Sequence, residues 1–377
     1  GDVGSGKTVV AAALAYNMAK NGYQTAVMVP TEILSVQHFA TFTKILNGTN
    51  INIGIISGNL STPKRKDAES KIKNGEIDIV IGTHAIISER LEFANLGLVI
   101  TDEQHRFGVK QRAKLISKGK NPHMMIMSAT PIPRTLSMII YGDLDISVLD
   151  ELPPGRKKTE TYCINSSKRS RAFAFMRKIL SSGGQGYIIC PSIESLDENI
   201  SSVKNYKRDI LNQEFNGYNT EILHGKMPAH ERDVIMRKFS EGFLHVLVST
   251  TVIEVGLDVP NASVIIIENA ERFGLSQLHQ LRGRVGRGSE KSYCILVSDS
   301  SSDESKKRFK AMCSTNDGFY LANEDLNIRG PGEIFGNKQH GTPGTIKLAK
   351  TLNDMNLVKQ SKEAVKDILC GRYNMQK

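Results

Sequence analysis

A chain of 377 residues is longer than one ordinary hydrophobic core accommodates and suits two domains of roughly 150–200 residues each. Its 40% hydrophobic content excludes a disordered chain. No apolar run approaches the roughly 18–20 residues that span a bilayer and no signal-peptide pattern opens the chain, so no membrane partner is expected. The net charge of +10 favours a polyanionic partner, because neutralising phosphates releases counterions.

In chain order, short apolar runs alternate with helical patterns, the rhythm of parallel sheets covered by helices. A phosphate-loop pattern at 1–8 runs into a helix over 7–20, and strands are predicted at 25–29, 53–56, 77–81, 98–101 and 124–128. Glu151-Leu-Pro-Pro-Gly-Arg156 breaks the rhythm, since Pro-Pro-Gly continues neither a helix nor a central strand. The expected division is a first lobe at 1–150, a linker at 151–156 and a second lobe at 157–300. Strands at 160–164, 186–190, 220–223, 246–249, 264–267 and 292–297 belong to that second lobe. Charged helical sequence follows from 301 to 377, with a glycine-rich loop at 328–336 and a last helix near 346–369. The predicted fold class is α/β, two parallel-sheet lobes with a C-terminal helical hairpin and loop. Five scattered cysteines (Cys163, Cys190, Cys294, Cys313, Cys370) without a C-x-x-C pair read as reduced cytoplasmic thiols and no zinc site.

Gly1-Asp-Val-Gly-Ser-Gly-Lys-Thr8 matches G-x-x-x-x-G-K-[ST]. Its glycines let backbone amides, including that of Ser5, curl around phosphates. Lys7 reaches the outer phosphates, Thr8 offers a hydroxyl to Mg²⁺, and the helix N-terminus points at the same anion. Leu98-Val-Ile-Thr-Asp-Glu-Gln-His105 is an apolar strand ending in two acids. At the carboxyl end of a parallel strand, Asp102 faces the ligand crevice to hold Mg²⁺, and Glu103 orients or deprotonates the attacking water. An acid pair at a helix N-terminus is the plainer alternative. Gln280-Leu-Arg-Gly-Arg-Val-Gly-Arg287 crowds like charges unless an anion lies opposite. Arg284 and Arg287, three apart, would share a helix face and grip a γ-phosphate; a nucleic-acid patch is the competing use.

Taken in order, GDVGSGKT, VPTEIL (29–34), GTHA (82–85), DEQH (102–105), SATP (128–131), LHGKM (223–227), TTVIEVGLDVPNA (250–262) and QLRGRVGR (280–287) resemble the motif set of superfamily-two helicases, over residues 1–290. The resemblance implies two RecA-like lobes with ATP and Mg²⁺ in the cleft. It assigns Gly4, Gly6, Lys7 and Thr8 to the phosphates, and Asp102 and Glu103 to Mg²⁺ and hydrolysis. Gly256 and Asp258 would contact nucleotide from the second lobe, with Arg284 and Arg287 as arginine fingers. Thr31, Thr83 and Thr251 would contact the DNA backbone.

Asp102-Glu-Gln-His-Arg-Phe-Gly-Val109, with Arg329-Gly-Pro-Gly-Glu333 and Gln339, is similar to the motor region of RecG-type DNA helicases. This implies an ATP-dependent helicase or translocase acting on branched DNA (replication forks, Holliday junctions) in recombination and repair. It also implies Arg329 and Gln339 in a DNA-coupling element, a monomer, and a single-stranded-DNA-binding protein as partner. A transcription-repair coupling translocase motor has a related loop and stays open as an alternative. So does an inactive remnant that only binds nucleic acid. The chain starts at Gly1 without Met, inside the loop, so the expectation is a fragment whose first lobe lacks its leading strand. Inactivity of the chain by itself is one expected consequence.

Overall fold

The computed structural model describes residues 1–58, 60–103, 107, 109–128, 144–151, 153, 156–191, 212–250, 258–288 and 290–329, and, further on, 360–361, 363–365, 367–368 and 370. Two parallel sheets organise these residues. The first half contributes α1 (Lys7–Lys20), β1 (Gln24–Met28), α2 (Glu32–Ile45), β2 (Ile53–Ile56), α3 (Thr62–Lys73), β3 (Ile79–Gly82), β4 (Leu96–Thr101), α4 (Val109–Ile116) and β5 (His123–Ile126). Their strands lie in the order β2-β3-β1-β4-β5, every described pair parallel. The predicted strands agree with these to within one or two residues at each end.

Side-chain alternation explains why both faces of this sheet are covered. Val27, Ile79, Ile81, Leu98 and Ile100 point to one face, where Ala11, Ala12 and Ala15 of α1 and Leu34 and Phe42 of α2 meet them. Ala26, Met28, Val80 and Val99 point to the other, against Ile72 of α3 and Leu115 of α4. The three alanines let α1 lie close to the sheet at no cost in helix propensity. At one end of the sheet, β5 pairs with β4 and its residues are only part-buried or exposed, whereas β4 is buried throughout.

The second half repeats the plan with β6 (Glu160–Ile164), α5 (Arg169–Ser181), β7 (Gln185–Ile189), β8 (Thr220–Leu223), α6 (Ala229–Ser240), β9 (Val246–Ser249), β10 (Ala262–Ile267), α7 (Leu275–Arg282) and β11 (Tyr293–Val297). The strand order is β6-β11-β10-β7-β9-β8, again parallel. Helix α5 covers one face through Ala172, Phe173, Met176 and Leu180. The opposite face packs on α6 and α7, and also on α8 (Asp303–Ser314) and α9 (Gly318–Arg329). Phe309, Ala311, Met312 and Leu321 are buried in the same cluster as Tyr187 and Leu296, so this helical pair shares the second lobe's core. Among the described residues no helix is long and apolar enough to cross a membrane.

One buried device occurs in both lobes. Gln24, which opens β1, donates Nε2 to the Ile72 and Ile77 carbonyls at 2.9 and 2.7 Å. Gln185, which opens β7, donates Nε2 to the Phe239 and Leu244 carbonyls, both at 2.7 Å. Each amide caps the end of a helix and the loop leading to the next strand, where carbonyls are otherwise orphaned. Gln185→Ala is expected to destabilise the second lobe by about 1–3 kcal/mol, read by chemical denaturation, because two buried acceptors lose their donor. A midpoint within error of the parent would show that water replaces the amide.

Candidate functional site

Gly4, Ser5 and Gly6 lie in the loop entering α1, which begins at Lys7, and Thr83 and Asp102 directly follow β3 and β4. Gly4 and Gly6 take positive φ values of 70° and 89°, so the chain curls tightly before the helix begins at Lys7. Lys7 Nζ donates to the carbonyls of Gly1 (2.8 Å) and Asp2 (2.6 Å). Burial holds its ammonium below the ordinary lysine value, while the nearby Asp102 and Glu103 carboxylates oppose that shift. Ser5 Oγ is buried and has no partner among the described residues. Positively curled glycines, an inward cation and an orphaned hydroxyl at a helix N-terminus suit an anionic ligand.

Directly after β4, Asp102 is held from two sides. Glu103 N donates to Oδ1 at 3.0 Å, and His38 Nε2 lies 3.0 Å from Oδ2. Glu103 is buried and has φ of 52°, a left-handed conformation that a non-glycine residue adopts only under constraint. Among the described residues no cluster of three or more His, Cys, Asp and Glu could hold a metal by protein ligands alone. Thr8 and Asp102 instead fit the pattern of Mg²⁺, which takes few protein ligands and completes its shell with water and phosphate oxygens.

From the second lobe, the arginine-rich motif reaches the same loop, in a form that corrects one expectation. Helix α7 ends at Arg282, and Gly286 has φ of 77°, so Arg284 and Arg287 occupy the turn after the helix rather than one helical face. Arg284 is buried. Arg287 Nε donates to Gly283 O at 3.2 Å, and its Nη1 lies 3.5 Å from Asp258 Oδ1. Asp258 N also donates to Gln37 Oε1 of α2 at 3.3 Å, a bond between lobes.

Five contributors, Asp2, His279, Arg282, His38 and Arg156, were not singled out in the sequence. Asp2 occupies an unspecified position of the loop pattern, yet its Oδ1 lies 2.5 Å from His279 Nε2 and its Oδ2 accepts from Gly318 N at 3.1 Å. Burial would raise the Asp2 pKa, but the His279 hydrogen bond and charge, with the Val3 and Gly318 amides, leave it lowered. A Cβ at 318 would come within 2.7 Å of the ends of the His279 and Asp2 side chains, so those two would have to shift to admit a side chain where α9 begins. Arg282 then joins His279 to the hairpin: its Nη2 lies 3.0 Å from His279 Nδ1, and Nη1 donates to the Met312 and Thr315 carbonyls at 2.8 Å. The loop at 1–8 is thus linked through His279 and Arg282 to the α8–α9 junction. The remaining two are His38 and Arg156. His38 sits in the buried stripe of α2 with Leu34, Ser35 and Phe42, a periodicity that could have flagged it. Arg156, from the segment joining the lobes, donates Nη1 to Val3 O at 2.6 Å.

The expected backbone-contacting threonines are placed unevenly. Thr31 caps α2, its hydroxyl accepting from Leu34 N at 3.4 Å. Thr83 is buried, and its hydroxyl has no partner among the described residues. Thr251, Gly256 and Gln339 lie outside the described residues, as do Gln104, His105, 129–131, the loop at 330–336 and most of 346–369; Arg329 ends α9.

Three family profiles match the chain: "DEAD/DEAH box helicase" over residues 1–139, "Helicase conserved C-terminal domain" over 171–289, and "ATP-dependent DNA helicase RecG, domain 3, C-terminal" over 315–376. The ATP-dependent DNA helicase RecG of Bacillus subtilis is 46% identical over 98% of this chain and 54% of its own length. That of Thermotoga maritima is 46% identical over 98% of this chain and 47% of its own. This chain therefore spans about half the length of the curated relatives it matches. A RecG structure bound to a three-way DNA junction superposes with a TM-score of 0.80 at 44% identity, covering 95% of this chain and 46% of that one. The RNA-bound Dbp5 of S. cerevisiae (TM-score 0.58, 17% identity, 88% of this chain and 82% of that one) shares the fold alone. The two helicase regions, the RecG-specific segment after them and 44–46% identity along nearly the whole chain place this protein in the RecG helicase family.

Proposed function

We propose that this chain is the motor of an ATP-dependent DNA helicase or translocase that works on branched DNA in recombination and repair. The observation that carries the reading is the meeting of both lobes at loop 1–8: Asp2 Oδ1 lies 2.5 Å from His279 Nε2 and Val3 lies against Gly283, with Asp102, Glu103 and Arg287 near the Lys7 ammonium. Loop amides and Lys7 hold the phosphates, and Thr8 and Asp102 hold Mg²⁺. Bound Mg²⁺ neutralises charge on the outer phosphates. His38 fixes the Asp102 carboxylate, and Glu103 positions the attacking water. Arg284, Arg287, Gly256 and Asp258 act from the second lobe. When the phosphates part, the arginines lose their anion and the lobes relax. Thr31, Thr83 and Thr251 follow the DNA backbone, while Arg329, at the end of α9, and Gln339 belong to the coupling element. The Asp2–His279–Arg282 chain of contacts gives the helical pair a direct sense of the loop's position. The motor acts as a monomer, with a single-stranded-DNA-binding protein as the partner implied by resemblance.

Steady-state ATP hydrolysis with forked DNA, linear duplex and single-stranded RNA, at low and moderate salt, tests the reading. Forked DNA is expected to stimulate most, and the stimulation should fall as salt rises, because phosphate contacts drive binding. Equal stimulation by RNA would favour an RNA-acting helicase of the same fold. No hydrolysis by folded protein under any condition would overturn the motor assignment for this chain.

A further inference from the structure

We infer that Arg156, on the segment joining the lobes, reads the terminal phosphate of the nucleotide held by loop 1–8, so that the interlobe connection itself senses nucleotide state. The inference rests on the nucleotide reading of that loop. Its basis is where the segment lies. A Cβ on Gly1 would come within 2.9 Å of Leu149 Cβ, one on Gly6 would lie 4.0 Å from Pro153 Cγ, and one on Gly4 would collide with the Arg156 guanidinium. Leu149, Pro153 and Arg156 therefore each lie against one glycine of the loop, and the cation sits over the middle one.

The chemistry around that guanidinium favours an anion. Its Nη1 donates to Val3 O at 2.6 Å, and no further partner is seen among the described residues. A planar fork of five N–H donors satisfied by one carbonyl retains donors suited to bidentate phosphate recognition. The neighbouring charges point the same way. Arg287 is a close cation, Asp2 is engaged with His279, and Asp258 with Arg287. Burial lowers the Arg156 pKa, and Arg287 lowers it further, as expected of cations gathered without enough counter-charge. Position selects the outer phosphate over the inner ones. Arg156 binds the loop at Val3, whose side chain packs on Gly283 of the second lobe, the side from which Arg287 approaches. The amides at the helix N-terminus serve the inner phosphates.

A plainer role would be to pin the linker to the loop, and the test separates the two. Binding of ADP and of a non-hydrolysable ATP analogue is measured by fluorescence titration on the 377-residue chain, its Arg156→Ala variant and its Arg156→Lys variant, alongside thermal melting. Arg156→Ala is expected to weaken the ATP analogue about tenfold or more while leaving ADP within about twofold, and Arg156→Lys to recover part of the loss. Equal weakening of both nucleotides, or no weakening of either, overturns the inference, whatever happens to the melting temperature. If Arg156→Ala does not fold, the Arg156→Lys variant decides by the same ATP-against-ADP comparison, since lysine can still donate to Val3 O but lacks the fork. A folded parent chain that binds neither nucleotide would overturn the nucleotide reading first, and this inference with it.

Discussion

Replacing Lys7 with alanine is expected to lower ATP hydrolysis at least about 10²–10³-fold while DNA binding stays near the parent value. Lys7 enters α1 from the curled loop, and its ammonium is the loop's own cation, facing Asp102 and Glu103. Without it those two carboxylates face a triphosphate with one cation fewer between them. The expected DNA-contacting residues lie elsewhere, at strand ends and in the second lobe, so affinity for a forked oligonucleotide should not follow the loss. Phosphate release and fluorescence anisotropy on the same preparations read the two quantities. Turnover surviving in Lys7→Ala would show that loop 1–8 is not the hydrolytic site.

A comparable loss, about 10³-fold or more in turnover, is expected of Arg287→Ala, with ATP affinity much less affected. Arg287 comes from the opposite lobe and is part-exposed toward the cleft, paired with Asp258 at 3.5 Å. That geometry suits a group that moves onto phosphate as the lobes close and stabilises charge developing in the transition state. Arg284 is a poorer probe, because it is buried, and its removal would also disturb the second lobe. Single-turnover hydrolysis at saturating ATP, compared with binding of an ATP analogue, separates the two effects. If Arg287→Ala weakens binding and turnover equally, the residue merely helps hold the nucleotide.

Much of this architecture was legible because each element carries its own pattern. Strands such as β4 and β10 are buried on both faces, so they read as continuous apolar runs. Helix α1 is announced by the loop that must precede it. The candidate site groups were also legible as patterns: a glycine-lysine loop, an acidic pair after an apolar strand and an arginine cluster are each costly unless an anion or a metal is present. The helical placement of Arg284 and Arg287 failed for a local reason. Spacing of three suits a helix, but the glycines at 283 and 286 end it and turn the chain. The helical pair α8–α9 read as an appendage because its charged surface hides a narrow buried stripe at Phe309 and Met312.

The sequence by itself determined the two-lobe α/β plan, the strand positions and the candidate residues of the loop and the acids, since these depend on neighbours within about ten residues. Tertiary structure alone decided which distant groups complete the site. Asp2 meets His279 across 277 positions and Gly318 across 316, Arg156 meets Val3 across 153, and His38 meets Asp102 across 64. Each of these is a single polar side chain whose partner is chosen by strand order and lobe apposition, and no local periodicity records that choice.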